Sequence, residues 1–436
     1  VKKSIAAALL LPLLLLAAPP ATSQEKPMAF EGAHIIPIAG AEIDDGCLVI
    51  HQGRILAVGP RASISIPRDA ERRDVRGKVL FPGLICTHSH VGQVSGADRS
   101  SPIQPDARAL DAINVRHEGF TRARAGGLTT VNIMPGSGHL MSGQTVYLKL
   151  RRGNTIDELL LPDESGWIRG GMKMANGTNP QGSPPFPGTR AKAASLVREV
   201  YVKAQEYRRK RADAESEDKK PSRDLGLEAL GEVLDGKRVV HHHTHRHDDI
   251  LTVLRLAEEF GFRVVLHHVS EGWKVADEIA RSGAPCSIIV LDSPGGKLEA
   301  ADLRLETGAI LEKAGVLVAF HTDDFITDSR LFMRSAGLAA RAGMSRQAAL
   351  AGLTLSGAKM LDLEERIGSL EEGKDADFVI LSGDPLSVYT HVLETWVEGE
   401  KVFDRSDPED RLVATGGYGA SHDRDEDSSC CTGDVR

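Results

Sequence analysis

Four apolar, β-branched runs that each end in histidine, helical segments between them, and short alternating strands at both ends of the chain predict an α/β fold. Its expected form is a parallel β/α barrel of TIM type carrying a small β-sandwich built from both termini. The four runs are KVLFPGLIC before His88, KRVV before His241, FRVVL before His267 and GVLVAF before His321. In a parallel barrel the carboxyl ends of several strands converge on one face, so histidines far apart in sequence meet in space. Ten of the sixteen histidines fall at 88–90, 241–247, 267–268 and 321, and such clustering asks for a common cause.

From the amino end, residues 1–23 combine two lysines, an apolar stretch of about a dozen residues and the small-residue site Ala21-Thr22-Ser23. This is the pattern of a secretory signal peptide cleaved before Gln24, and the expected location is periplasmic or extracellular. The apolar run over 5–18, interrupted by Pro12 and followed by Pro19-Pro20, is too short for a permanent membrane span. Residues 24–80 show alternating runs broken by Gly and Asp, as in GAHIIPIAGAEIDDGCLVIHQGRILAVGP, which are hairpin signals. A matching pattern returns over 362–412, in IGSLEEGKDADFVILSGDP and VLETWVEGEKVFD, so the two segments are assigned to one composite sandwich.

The central stretch, 81–361, carries the barrel rhythm. ALDAINVRHEGFTRARAGG, DDILTVLRLAEEFG, GWKVADEIARSG and SRQAALAGLTLSGAKML have apolar residues at three- and four-residue spacing and follow the strands. Residues 191–224, rich in Lys, Arg and Glu, read as a charged surface helix and linker inserted without chemistry. The tail 413–436, rich in Gly, Asp and Ser, has no apolar periodicity and is expected to be disordered.

Composition narrows the function classes. The 436 residues are 41% apolar and 26% charged, an ordinary globular balance, and the net charge of −8 with no basic face argues against nucleic acid as a partner. A small molecule or short peptide is the expected substrate, and a homo-oligomer is compatible with the sequence. Five cysteines make no disulfide framework in a chain this long; Cys47, Cys86 and Cys286 sit in strand-like contexts that suit buried thiols. No HExxH helix motif is present, which disfavours that kind of metalloprotease.

The His88-x-His90 pair carries the sharpest chemistry. On an extended strand alternate side chains share a face, so both rings can hold one metal ion. Taken in order, PGLICTHSH, HHHTHRHDDI, VVLHHVSEGWKVADEIA, VAFHTDD and IGSLEEGKDADFVIL resemble the amidohydrolase superfamily, most closely its imidazolonepropionase and prolidase-type branch, over residues 30 to 405. That resemblance implies a (β/α)8 barrel with a small β-sandwich from both termini. It implies that His88, His90, His243, His268 and Asp323 are metal ligands. Strand alternation leaves His241 and His245 open as substitutes for His243, and His267 as a substitute for His268.

The chain also departs from the family pattern. Cys86 stands where relatives carry an aspartate before the His-x-His pair, and the bridging lysine or glutamate of binuclear members has Lys173 as its nearest counterpart, with Lys149 as the alternative. His242, His247 and Asp248 are candidates for supporting ligand imidazoles through hydrogen bonds. Asp324 is expected to be an exposed turn residue.

A divalent ion held by neutral imidazoles activates water near neutral pH and polarises a carbonyl; zinc suits this donor set best, with iron or manganese as alternatives. Asp323 would then act as general acid and base in cleaving a C–N bond of an amide, dipeptide or cyclic amide. A deaminase on the same site, and an inactive ligand-binding relic, are the competing readings. Two loops, 135–144 and 176–190, are placed to select substrate, with His139, Gln144 and Arg246 as candidate contacts.

Overall fold

The computed structural model describes residues 24–92, 94, 98–290, 297–324 and 326–416. The signal-peptide reading falls on residues 1–23, outside that set. The terminal helix Pro408–Thr415 occupies the start of the stretch read as a tail, whose residues 417–436 also lie outside the described set. No helix among the described residues is long and apolar enough to cross a membrane.

Eight strands from both ends of the chain form one hydrogen-bonded sheet. Met28–Ile35 lies near its middle, with the hairpin strands Ile43–His51 and Arg54–Pro60 on one side. On the other side come Val79–Pro82 and then the carboxyl-terminal strands Phe378–Leu381, Val392–Val397 and Glu400–Asp404. Glu71–Asp74 pairs alongside Met28–Ile35. The union of both ends is as the hairpin signals suggested. The hydrogen-bonded ladder is continuous through all of these strands. Phe30, Leu48, Ile50, Phe378 and Trp396 pack on one face, with Phe378 and Trp396 stacked at 5.5 Å between ring centroids, an aromatic cluster that anchors the sheet.

The central region alternates strand and helix. Five parallel strands, Met172–Ala175, Val240–Thr244, Val264–His268, Cys286–Ile288 and Val318–Phe320, pair in sequence order, and Met141–Gln144 adds antiparallel to the first of them. A second arc holds Leu84–Ser89 and Leu128–Ile133, parallel to each other, with Val146–Lys149 antiparallel. The ladder thus runs in two arcs. They meet where the Asp323 amide donates to the His88 carbonyl at 3.0 Å and where Thr87 Oγ1 and Ser287 Oγ approach to 2.6 Å.

Side-chain alternation explains the burial. Val239, Val265 and Ala319 form a small apolar cluster with Met360. Two residues further along the same strands, on the same face, come His241, His267 and His321. One strand face is therefore apolar at its base and imidazole at its carboxyl end. The opposite face packs on helices. The helix Arg190–Ala212, capped by Thr189, buries Ala193, Val197, Tyr201, Ala204 and Tyr207 at three- and four-residue spacing, and Tyr201 stacks on Phe260 and Phe262. This segment is a packed layer element with one polar face, a correction to its reading as an inserted surface helix.

Lys149, the alternative to Lys173 as a bridging ligand, serves the scaffold. Its buried ammonium lies 2.8 Å from Asp375 Oδ2 and 2.5 Å from Asp377 Oδ2, joining the second arc to the terminal sheet. Removing one partner of a buried ion pair leaves the others uncompensated. Lys149→Met is therefore expected to lower unfolding free energy in urea by about 3 kcal/mol or more while leaving metal content unchanged. A loss below about 1 kcal/mol, the range of an exposed pair, would show that the junction does not depend on it.

Candidate metal centre

The strand Leu84–Ser89 carries a bulge, since three steps from Cys86 to Ser89 oppose two from Val131 to Ile133. The extra residue lets both Thr87 and His88 turn toward the other strands. His88 Nε2 lies 3.3 Å and His90 Nε2 3.0 Å from Asp323 Oδ1, and the two ring nitrogens are 3.2 Å apart. His90 is oriented by the Met134 carbonyl, 2.7 Å from Nδ1. Asp323 has φ of 47°, a left-handed conformation that aspartate tolerates better than most residues, and it turns the carboxylate back onto the first strand.

A second group forms beside the first. His243, His245 and His268 bring one ligand atom each within 4.8 Å of one another, and His268 also groups with His88 and His321. His268 has φ of 71°, so alternation breaks at the end of Val264–His268 and consecutive residues both reach the interior. The histidines left open by alternation fall into different surroundings. His267 Nε2 is engaged 3.0 Å from His241 Nδ1, and His241 Nε2 lies 3.0 Å from the Tyr147 hydroxyl, so this pair forms a layer beneath the ligand groups. His245 joins His243 in the ligand group, with its Nδ1 held 2.7 Å from Ser270 Oγ.

Lys173 lies in this interior. It is buried on Met172–Ala175, and its Nζ donates to His88 Nε2 at 3.2 Å. Of the expected supporting groups, His242 Nδ1 meets the His243 carbonyl, His247 pairs with Glu271, and Asp248 pairs with Arg246. Cys86 replaces the expected aspartate with a different tie: its thiol donates to the His88 carbonyl at 3.1 Å and accepts from the Thr322 amide at 3.3 Å. Burial pushes that thiol up to about 12, so it stays protonated. Asp324, expected at the surface, is instead part-buried and accepts from Ser89, Thr322 and Ser329.

The three candidate substrate contacts are held locally. His139 Nε2 meets the Asp98 carbonyl at 2.7 Å, Gln144 donates to the Pro105 carbonyl, and Arg246 clasps Asp248. Sequence reasoning did not pick out Lys297 or Tyr147. Lys297 Nζ donates to His243 Nε2 at 3.2 Å and His245 Nε2 at 3.0 Å, yet a lone lysine has no spacing signal.

The arrangement is a set of neutral imidazoles in a dry interior. Burial holds His88, His243, His245, His267 and His268 well below the ordinary imidazole range, with Lys173 adding to each depression. His88 Nδ1, His243 Nδ1 and His268 Nε2 are buried without a hydrogen-bond partner. Neutral rings with buried, unsatisfied nitrogens beside a carboxylate are a donor set that a divalent cation fits.

These features define a strand-end histidine cluster on an α/β scaffold, and the chain is similar to known proteins. Residues 286–403 match the model of the Amidohydrolase family. The crystal structure of an amidohydrolase from Thermotoga maritima MSB8 has a TM-score of 0.80 at 35% identity, covering 87% of this chain and 100% of that one. An imidazolonepropionase of Rhizobium rhizogenes is 29% identical over 388 residues, 80% of this chain and 89% of its own. The amidohydrolase tasK of Hapsidospora irregularis is 27% identical over 393 residues, 82% of this chain, and the alignment spans 40% of that longer protein. The chain belongs to the amidohydrolase family.

The buried imidazoles make acid stability a direct readout. Burial holds His241, His242 and His321 down at about 3 in the folded chain, against roughly 6.5 when unfolded. Their contribution is complete above pH 6.5 and is lost as pH falls from there toward 3, because the unfolded chain binds the extra protons. Urea unfolding of metal-stripped protein should weaken below pH 6.5 by up to about 1.4 kcal/mol per pH unit for each such histidine. A flat profile between pH 7.5 and 5 would contradict this burial of neutral rings.

Proposed function

We propose that this chain is a metal-dependent hydrolase that opens a C–N bond in an amide, a dipeptide or a cyclic amide. The observation that carries the reading is the meeting of His88 and His90 with Asp323, from opposite ends of the central region, at 3.3 and 3.0 Å. We take the two strand arcs as one barrel whose carboxyl-terminal face bears the site, and the exported location expected from residues 1–23 as part of the proposal.

His88, His90 and Asp323 would hold one ion and His243 and His268 with His245 a second, and Lys173, 3.2 Å from His88 Nε2, is the residue that would serve as a bridging ligand. A divalent ion there, zinc by the donor set with iron or manganese as alternatives, supplies an activated water and polarises a carbonyl. The work of the side chains follows from their positions. The Asp323 carboxylate takes a proton from the attacking water and delivers it to the departing nitrogen, since an amine leaves poorly as an anion. The Cys86 thiol and the Asp324 carboxylate, through Thr322 and Ser89, hold the first and last strands together, so Asp323 stays against His88 and His90. The buried interior excludes bulk water from that proton transfer.

A hydrolysis screen over N-acyl amino acids, Xaa-Pro dipeptides, hydantoins and lactones tests the reading. Release of an acid or amine is expected, whereas release of ammonia would assign a deaminase and absence of turnover with metal bound would assign a binding relic. Asp323→Asn should lower kcat by about 10²- to 10⁴-fold, the usual worth of a general acid–base group, with the melting temperature retained. Unaltered turnover in that variant would remove Asp323 from its role.

A further inference from the structure

We propose that Lys297 is a built-in competitor for the second cation position, so that the two ligand groups fill in order: His88, His90 and Asp323 first, and the group of His243, His245 and His268 only when Lys297 withdraws. The inference rests on the metal reading above and adds a constraint that the ligand sets alone do not contain.

An ammonium has three N–H donors and no acceptor. Lys297 donates to His243 Nε2 at 3.2 Å and His245 Nε2 at 3.0 Å, and forms an ion pair with Glu299 Oε1 at 3.0 Å. Two of the three imidazoles in the group thus present ligand nitrogens to a cation belonging to the chain itself. A lone pair that accepts from an ammonium cannot at the same time bind a metal, and an ammonium beside a divalent ion is repelled by it.

The two ligand groups differ in charge as well. The first contains the Asp323 carboxylate, and Lys173 touches one of its ligands, His88. The second is formed by imidazoles alone, and Lys297 touches two of them. At the first group a cation displaces one ammonium contact, Lys173 on His88, and is drawn by the Asp323 carboxylate, whereas at the second it displaces two contacts of Lys297 and meets no carboxylate within the group.

The displaced lysine has an anchor. Glu299 is buried; its Oε2 accepts from the Thr178 amide at 2.8 Å and lies 3.5 Å from Arg190, which is itself fixed on Asp249. A carboxylate held this way keeps the ammonium as its ion-pair partner once Nζ swings off the two imidazoles. Lys297 is thus retained as a counter-ion to Glu299 in both states.

Metal-stripped full-length protein titrated with Zn²⁺ against a chromophoric chelator reads both positions without relying on turnover. Wild type should show one tight event and a second, weaker one. Lys297→Met should tighten the second event by about tenfold or more, roughly 1.4 kcal/mol, with the first event unchanged, and Lys297→Arg should keep the second event weak. Melting temperatures confirm that each variant is folded; if Lys297→Met is not, Lys297→Gln removes the charge with a polar replacement and should behave the same way. A second event that is unchanged or weaker in the folded neutral variants overturns the competition. Absence of any tight event in wild type and variants alike overturns instead the metal reading on which it stands.

Discussion

Everything about this molecule turns on keeping imidazoles uncharged inside a solvent-free strand end. His88, His241, His243, His267 and His321 are fully buried, and Lys173 lies among them. Protonating any of these rings would place like charges together in a medium that screens them poorly. Leaving the rings neutral solves the charge problem and creates another, because His88 Nδ1, His243 Nδ1, His267 Nδ1 and His268 Nε2 have no hydrogen-bond partner. Each such group costs about 1–3 kcal/mol. The nitrogens that face Asp323 and Lys297 are the Nε2 atoms of His88, His90, His243 and His245, and neutral imidazole lone pairs there suit a cation.

The scaffold is arranged around that demand. The apolar base of the strands, Val239, Val265 and Ala319, seals the interior from below, and the Tyr147–His241–His267 layer satisfies ring nitrogens just above it. At the seam between the two arcs the ties are short and polar: Thr87 to Ser287, Ser287 to His321 Nδ1 at 2.7 Å, and the Cys86 thiol to Thr322. Lys149, with Asp375 and Asp377, fixes the terminal sheet to the second arc from outside. Charge is thus placed at the junction, with neutral rings inside, and the position of Asp323 follows from both.

Much of this was legible in the primary structure because period-two alternation and residue type act locally. Runs such as KRVV and FRVVL announce buried parallel strands, and a histidine at each carboxyl end marks a shared face. Three features were not legible. Positive φ at His268 and Asp323 and the bulge after Cys86 depend on how strands meet, so alternation could not foresee that His268 groups with His243 and His245 while His267 meets His241. Asp324 read as a turn residue because nothing local announces Ser89 and Ser329 as its donors. Lys297 lies far from His243 and His245 along the chain, and only the fold brings an ammonium onto them.

The central claim is that His88, His90 and Asp323 share one divalent cation. Anomalous diffraction at the zinc edge, from crystals grown with one equivalent of Zn²⁺, tests it most directly. The account requires a single strong peak within bonding distance, about 2.0–2.3 Å, of a nitrogen of each histidine and an oxygen of Asp323. A peak elsewhere, or none at this trio while the protein is folded, would contradict it.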